Sequence, residues 1–238
     1  HEDDLILSRP DELDNEDEER LTQTHLEQIN SNMSFREVAG FLTSIQYMHL
    51  VPQLLRYPEA FPGQEIPGDP FGKRFLENIA KTNDRTRTAR LKKIEGLLHT
   101  VVPQLKELSF IKDETGAPHL EAVYKHWRPR AGKQREDQFS DGTLRLIALL
   151  WSLQESKSLL LLEEPELSLN AEIVSKLAPM ISKLQRQTKR QVVLSTHSPD
   201  LLSDKGIGGE EVLILEPGTE GTQVHAASSD EEIKRLLD

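Results

Sequence analysis

Glu163 and Glu164 stand side by side directly after four leucines, in the string LLLLEEPELSLN that runs from Leu159 to Asn170. Adjacent carboxylates repel each other unless a cation or a proton donor stands between them, so the pair is a candidate nucleotide or metal site. The plainer reading is that the glutamates mark where a strand leaves the core. Two further stretches carry chemistry of the same kind. In VVLSTHSPDLL, His197 follows another apolar run, although a lone histidine is most often structural. In FSDGTLRL, Ser140, Gly142 and Thr143 precede an apolar helix. Free backbone N–H groups and the positive end of a helix dipole attract anions there, and glycine allows close approach of a phosphate. The same residues also serve as ordinary helix caps.

The elements around these residues place them together. Leu159–Leu162 lacks period-two alternation, which suggests a strand buried on both faces inside a parallel sheet. Leu144–Leu153 is apolar nearly all round and reads as a buried helix. Residues 171–187 form an amphipathic helix that Pro179 should kink or break. QVVLSTH is a second buried strand, and SPDLL starts a helix with Ser198 as its cap and Pro199 at its first position. Helix, strand, helix, strand is an α/β order. A right-handed crossover sets the two strands side by side, with Glu164 and His197 in one cleft at the carboxyl edge, where open parallel sheets bind ligands.

Toward the N terminus the pattern is helical and irregular. Seven of the nine residues from Asp11 to Glu19 are acidic, as in a solvated loop or a helix start. Residues 21–29 and 35–47 have helix-like content, and prolines 52, 58, 62, 67 and 70 mark a long connection. A helix is expected over 84–102, with Leu91, Ile94, Leu97, Leu98 and Val101 inward. LKELSFIK and HLEAVYKHW read as a hairpin, EEVLILEP and TQVHAA as two closing strands, and 230–237 as a last short helix. There is no internal repeat. The division expected is a helical and irregular segment over 1–104 and an α/β lobe over 105–238.

Composition narrows the possibilities. The net charge is −11, from 29 basic against 40 acidic residues, so general attraction to nucleic acid is not expected. One local patch, YKHWRPRAGKQR, sets Lys125, Arg128, Arg130, Lys133 and Arg135 beside Tyr124 and Trp127, where DNA could touch; a charged surface loop is the alternative. Zero cysteines exclude disulfides and thiolate metal sites. No apolar run approaches a bilayer span and no secretory signal opens the chain; the cytoplasmic location expected rests mainly on the function read below.

Together, FSDGT, LLLLEEPE and STHSP resemble, in order and spacing, the signature, Walker B and switch-histidine motifs of ABC-type ATPase heads. The branch they resemble holds RecF, the overcoming-lysogenization-defect nucleases and other AAA-labelled stand-alone ATPases. The resemblance covers roughly the last hundred residues. It implies the C-terminal lobe of such a P-loop ATPase, with buried parallel strands flanked by helices. It also implies ATP and Mg2+ as ligands, with Glu163 as the Walker B acid on the magnesium side. Glu164 would polarise the attacking water and His197 would sense the terminal phosphate. Ser140, Gly142 and Thr143 would meet the ATP of a second copy, and Asn170 ends the loop that joins the two sites. The implied partners are a second copy in a dimer or larger oligomer and an effector or nuclease protein, acting in DNA repair, DNA maintenance or antiphage defence. A scaffold that keeps the fold and only engages a partner is the competing reading.

The departures bear on activity. Glu163 stands where most ABC heads have Asp, a variant of the RecF-like and defence-associated branch, and Thr143 stands where Gln is frequent. No GxxxxGK[ST] phosphate loop occurs. The nearest string, GDPFGKRF, is one residue short between its glycines and has Arg74 where a hydroxyl is needed. The family's loop lies N-terminal to these motifs, so a strand, a phosphate loop and a helix are expected upstream of His1, and these 238 residues alone should not hydrolyse ATP.

Overall fold

The computed structural model describes residues 10–28, 32–125 and 132–229. Its contacts divide into two compact units, one ending at Ile45 and the other beginning at Gln46. The connection and helices between Gln46 and residue 104 fall in the second unit with the α/β elements.

The first unit holds helices α1 (Glu12–Glu16) and α2 (Arg36–Ser44). The acidic run does start a helix. Asp14 N–H donates to Asp11 Oδ1 at 2.7 Å and Asp11 N–H to Asp14 Oδ2 at 3.0 Å, a reciprocal cap that satisfies two otherwise open donors.

The second unit runs β1 (Gln46–Met48), α3 (Pro52–Arg56), α4 (Phe75–Lys81), α5 (Asp84–Leu98), β2 (Leu105–Lys112), β3 (Pro118–Tyr124) and β4 (Lys133–Arg135). It continues with α6 (Asp141–Ser152), β5 (Leu160–Glu163), α7 (Ala171–Val174), α8 (Leu177–Thr188), β6 (Val192–Ser195), α9 (Pro199–Leu202), β7 (Leu213–Gly218) and β8 (Gly221–Ala226). The site rests on a parallel sheet in the order β1-β5-β6. Leu160 is registered with Gln46 on one side and Val192 on the other, and Glu163 with Ser195. An antiparallel sheet β2-β3-β4 and the β7–β8 hairpin complete the unit.

Arg190 staples the start of the parallel sheet. It is 2% exposed, and its guanidinium donates to Ser158 O at 2.7 Å, to Ser152 O and to the Gln46 side chain. One rigid fork thus ties the entries of β1 and β5 to the end of α6. Leu144, Leu146, Ile147 and Leu150 of α6 are fully buried, and α6 packs on α3 and α5.

Several expectations change. Residues 46–48 form a strand rather than the tail of a helix. Three residues are too few to show a period, and their conformation follows from pairing with Leu160–Leu162. The helix expected over 171–187 is two helices, broken before Pro179. Pro179 lies in the first turn of α8, where a missing N–H costs no intrahelical bond. Ser198 sits at the cap of α9 but makes no side-chain capping bond. The helix expected over 230–237 lies outside the described residues.

Candidate active site

Glu163 closes β5 and Glu164 follows it with φ +42°, a left-handed conformation uncommon for a side chain other than glycine. Glu164 N–H donates to Ser195 O at 3.0 Å, which continues the strand ladder by one bond before the chain turns away. Two tight turns follow: Leu167 N–H donates to Glu164 O at 3.2 Å and Leu169 N–H to Glu166 O at 3.0 Å, with Ser168 also left-handed at φ +66°. Over-determination of this kind holds a sparsely populated backbone in place.

His197, after β6, brings its Nε2 to 3.6 Å from Glu164 Oε1. Its side chain is 92% exposed and that of Glu164 is 30% exposed, so both face open space at the carboxyl edge of the sheet. Glu163 points along the same edge, where the Tyr47 hydroxyl donates to its Oε2 and His49 Nδ1 stands 3.8 Å away. The bond to Glu163 raises the pKa of the Tyr47 hydroxyl. A small void of about 10 Å³, about the space of one water, lies between Glu163, Glu164, Arg145 and Leu162. Below it, Thr196 donates to Glu166 Oε1 and accepts from Ser198 N–H at 2.9 Å, so Glu166 ties the loop after β5 to the loop that carries His197. Glu166 Oε2 is buried without a hydrogen-bond partner.

Ser140 caps α6: its Oγ accepts from Thr143 N–H at 3.2 Å and meets Thr143 Oγ1 at 2.8 Å. Gly142 is glycine for a reason that the sequence concealed. A β-carbon on it would stand 2.5 Å from Ser168 O and 3.3 Å from the Leu169 side chain. The close approach of the chain's own loop thus requires glycine here, whatever the backbone of Gly142 meets on its open side. Arg145, 6% exposed, reinforces the contact by donating to Leu167 O at 3.1 Å and to Leu50 O. Asn170 caps α7, its Oδ1 accepting from Ile173 N–H at 2.9 Å.

Of the basic patch, Lys125, Lys133 and Arg135 are described and all three are exposed. Lys133 pairs with Glu121 at 2.8 Å, and the Lys125 N–H donates to Gln104 O at 2.7 Å. Arg135 is exposed, next to the 3-10 turn Glu136–Gln138 that leads to Ser140. Arg128 and Arg130, with Trp127, lie outside the described residues. GDPFGKRF is a loop, as expected: Gly72 has φ +79° and packs on Leu55, while Lys73 donates to Phe61 O at 2.9 Å.

A family model described as "AAA domain, putative AbiEii toxin, Type IV TA system" matches residues 3–203. The chain belongs to this AAA domain family. No curated protein matches it. Among solved structures, an Smc head bound to the C-winged helix domain of ScpA superposes with a TM-score of 0.52 at 14% identity, over 80% of this chain and 60% of that one. A structure from work on ATP-driven dimerization and DNA stimulated activation of SMC ATPases gives 0.48 at 16% identity, over 64% and 91%. The Smc head domain of Pyrococcus furiosus, with an extended coiled coil and bound to the C-terminal domain of ScpA, gives 0.45 at 15%, over 64% and 38%. The architecture, a parallel sheet flanked by helices, is similar to that of the Smc head. The chain spans three-fifths of the Smc head that it matches at 0.52.

The donor set suits the ligands of such a head. Mg2+ is held through one or two carboxylates and completes its shell with phosphate oxygens and water. Glu163 and Glu164 give two carboxylates at the ends of the parallel strands, while among the described residues there is no group of three or more His, Cys, Asp or Glu that could hold a metal by itself. Sequence reading missed Tyr47, His49, Glu166, Thr196 and Arg145. Glu166 and Thr196 stand inside quoted motifs, whereas Tyr47 and His49 depend on a strand too short to read. Among the described residues no helix is long and apolar enough to cross a membrane.

Proposed function

We propose that the chain is the acid-bearing lobe of an ATP-hydrolysing head that closes on a second copy around ATP. The observation that carries this is the juxtaposition of Glu164 and His197, 3.6 Å apart at the carboxyl ends of paired parallel strands. Glu163 would hold Mg2+, which supplies charge neutralisation on the phosphates. Glu164, with its backbone fixed in a left-handed turn, would accept a hydrogen bond from the attacking water and align it. His197 would donate to the terminal phosphate, and the α6 terminus at Ser140, Gly142 and Thr143 would face the phosphates of the other copy. Asn170 orders the loop between the two sites.

The sequence contains no GxxxxGK[ST] phosphate loop. Among the described residues β6 pairs on one side only, and Val193 on it is 50% exposed, so a further parallel strand can add at that edge. The exposed Leu213, Leu215 and Val224 of the β7–β8 hairpin offer apolar surface of the same kind. A phosphate loop brought to that edge would complete the site.

The family's description names a toxin of a type IV toxin–antitoxin system, which favours antiphage defence over DNA repair or maintenance. The partners would be a second copy and a separate effector or nuclease, in the cytoplasm. DNA contact through Lys125, Lys133 and Arg135, with Arg128 and Arg130, is the least supported part, because Lys133 is already paired. The alternative is a scaffold that engages a protein partner, as the Smc head engages ScpA.

Glu164→Gln in the complete protein separates these readings. The amide keeps the shape and loses the carboxylate, so turnover should fall about 10³-fold, within the range for loss of a catalytic group, while ATP binding stays and ATP-loaded dimers accumulate. Unchanged turnover would defeat the assignment, and a wild-type protein that binds no nucleotide would leave the scaffold.

A further inference from the structure

We propose that Arg56 is a positioning residue for the anion-binding end of α6, and that its task is to cancel the charge of Asp141. The inference rests on the ATPase reading above and assigns a role that the motifs do not supply. Arg56 ends α3, and its guanidinium reaches across to both sides of Ser140. Nη2 donates to Phe139 O at 2.6 Å and pairs with Asp141 Oδ1 at 2.8 Å. The Arg56 side chain is 13% exposed and that of Asp141 is 40% exposed, so the pair lies at the rim and not in the core.

The physical problem is one of sign. Asp141 and Gly142 are the first two residues of α6, and helix geometry leaves their N–H groups without an intrahelical acceptor. Those N–H groups and the helix dipole favour an anion, but the Asp141 carboxylate takes up the same positive potential and repels a second negative group. Such a carboxylate helps an isolated helix and harms a phosphate site. Arg56 resolves the conflict in two ways. It neutralises the carboxylate, and by holding Asp141 and the Phe139 carbonyl on one nitrogen it fixes the turn whose middle residue, Ser140, would face the partner's nucleotide. Arg145, the other buried cation near this end, donates to Leu167 O and Leu50 O and does not take this place.

The test compares four complete proteins, wild type, Arg56→Gln, Arg56→Lys and the double variant Arg56→Gln/Asp141→Asn, in dimerisation driven by MgATP. Sedimentation gives the ATP concentration for half-dimerisation, and turnover gives KM and kcat. Arg56→Gln should raise that concentration and KM about tenfold, the size of one charge-assisted contact. Arg56→Lys keeps the charge and should recover most of the loss. The double variant should recover as well, because the repelling carboxylate is gone. A purely structural Arg56 would leave the double variant as impaired as Arg56→Gln, with both unfolding at lower temperature, and that result overturns the proposal. So does an Arg56→Gln protein that dimerises like wild type. A wild type that neither binds ATP nor dimerises overturns the ATPase reading itself, which distinguishes the two failures.

Discussion

The two halves of the proposed site are built to different standards. At the carboxyl edge of β5 and β6, Glu164 and His197 meet through one 3.6 Å contact with the histidine almost wholly exposed. At the start of α6 contacts are dense: Ser140 caps Thr143, Arg56 bonds Phe139 O and Asp141, Arg145 bonds two carbonyls and Gly142 lies against Ser168 O. Groups that must follow a changing charge distribution are left free to move, and groups that recognise a fixed anion are held in advance, which lowers the ordering cost at closure. The loop from Glu164 to Asn170 belongs to both, because it carries Glu164, the carboxylate proposed to align water, at one end and packs on α6 in its middle.

Breaking the rigid half should therefore cost stability, whereas breaking the open half should cost only activity. The largest stability effect is expected from Arg145→Met. It leaves Leu50 O buried without a donor, at about 1–3 kcal/mol, and removes the tie to Leu167 O in the exposed loop, so a loss of roughly 3 kcal/mol should appear in urea unfolding. His197→Gln should leave the same unfolding curve unchanged. Equal losses for both would erase the distinction.

Gly142→Ala comes next. Its methyl would meet the Ser168 carbonyl at 2.5 Å, and backbone cannot yield as a side-chain tip can, so overpacking should cost about 1–3 kcal/mol. A nucleotide-free unfolding measurement decides the point. A glycine needed only for a phosphate in another copy would show no loss without ATP.

What was legible beforehand follows the same divide. Long-range order was readable where the pattern was long: the Leu159–Leu162 strand, the buried helix after Ser140, the hairpin from Leu105 and the pairing of the strands that end in Glu163 and Ser195. The proximity of Glu164 and His197 came from crossover geometry alone. What was hidden depends on contacts between residues far apart in the chain. Tyr47 reaches Glu163 only because residues 46–48 are drawn into the sheet by Leu160–Leu162, and Arg56 reaches Phe139 across 83 positions. Gly142 was visible as a glycine, but its reason lies in the carbonyl of Ser168, and no local pattern reports that.

Ser140→Ala sharpens the comparison further. Loss of a cap costs about 1 kcal/mol, and Thr143 N–H loses its acceptor. If the hydroxyl also meets nucleotide in trans, the ATP concentration needed for dimerisation should rise by more than the stability loss explains. Replacement by Asp, an equally good cap that repels phosphate, separates the roles: Ser140→Asp should keep the unfolding midpoint and lose ATP-driven dimers.

The smallest effect is expected where the rigid half joins the β2-β3-β4 sheet. His119 stands between two carboxylates, its Nδ1 2.7 Å from Glu136 Oε1 and its Nε2 3.3 Å from Asp113 Oδ2. Glu136 also accepts from Leu120 N–H at 2.9 Å and lies three residues before Phe139, so this histidine steadies the turn that delivers Ser140. Its pKa is raised, chiefly by the bond to Glu136, against partial desolvation and the nearby Arg135 charge. A raised value means that the folded protein holds the proton more tightly than the unfolded chain. The contribution is complete below the unfolded value of about 6.5 and fades as pH rises through the folded value. Asp113 behaves in the opposite sense: its pKa is lowered, first by the Thr115 hydroxyl, so its contribution is lost in acid. Stability of the wild type should therefore decline on the alkaline side of about pH 6.5, by about 1 kcal/mol, the size of one net hydrogen bond from a partly exposed ring to the buried Glu136. His119→Gln should flatten that decline and leave the acid limb in place. Urea midpoints taken from pH 5 to 9 check both limbs, and an unchanged alkaline slope in the variant would show that His119 is not the group that titrates.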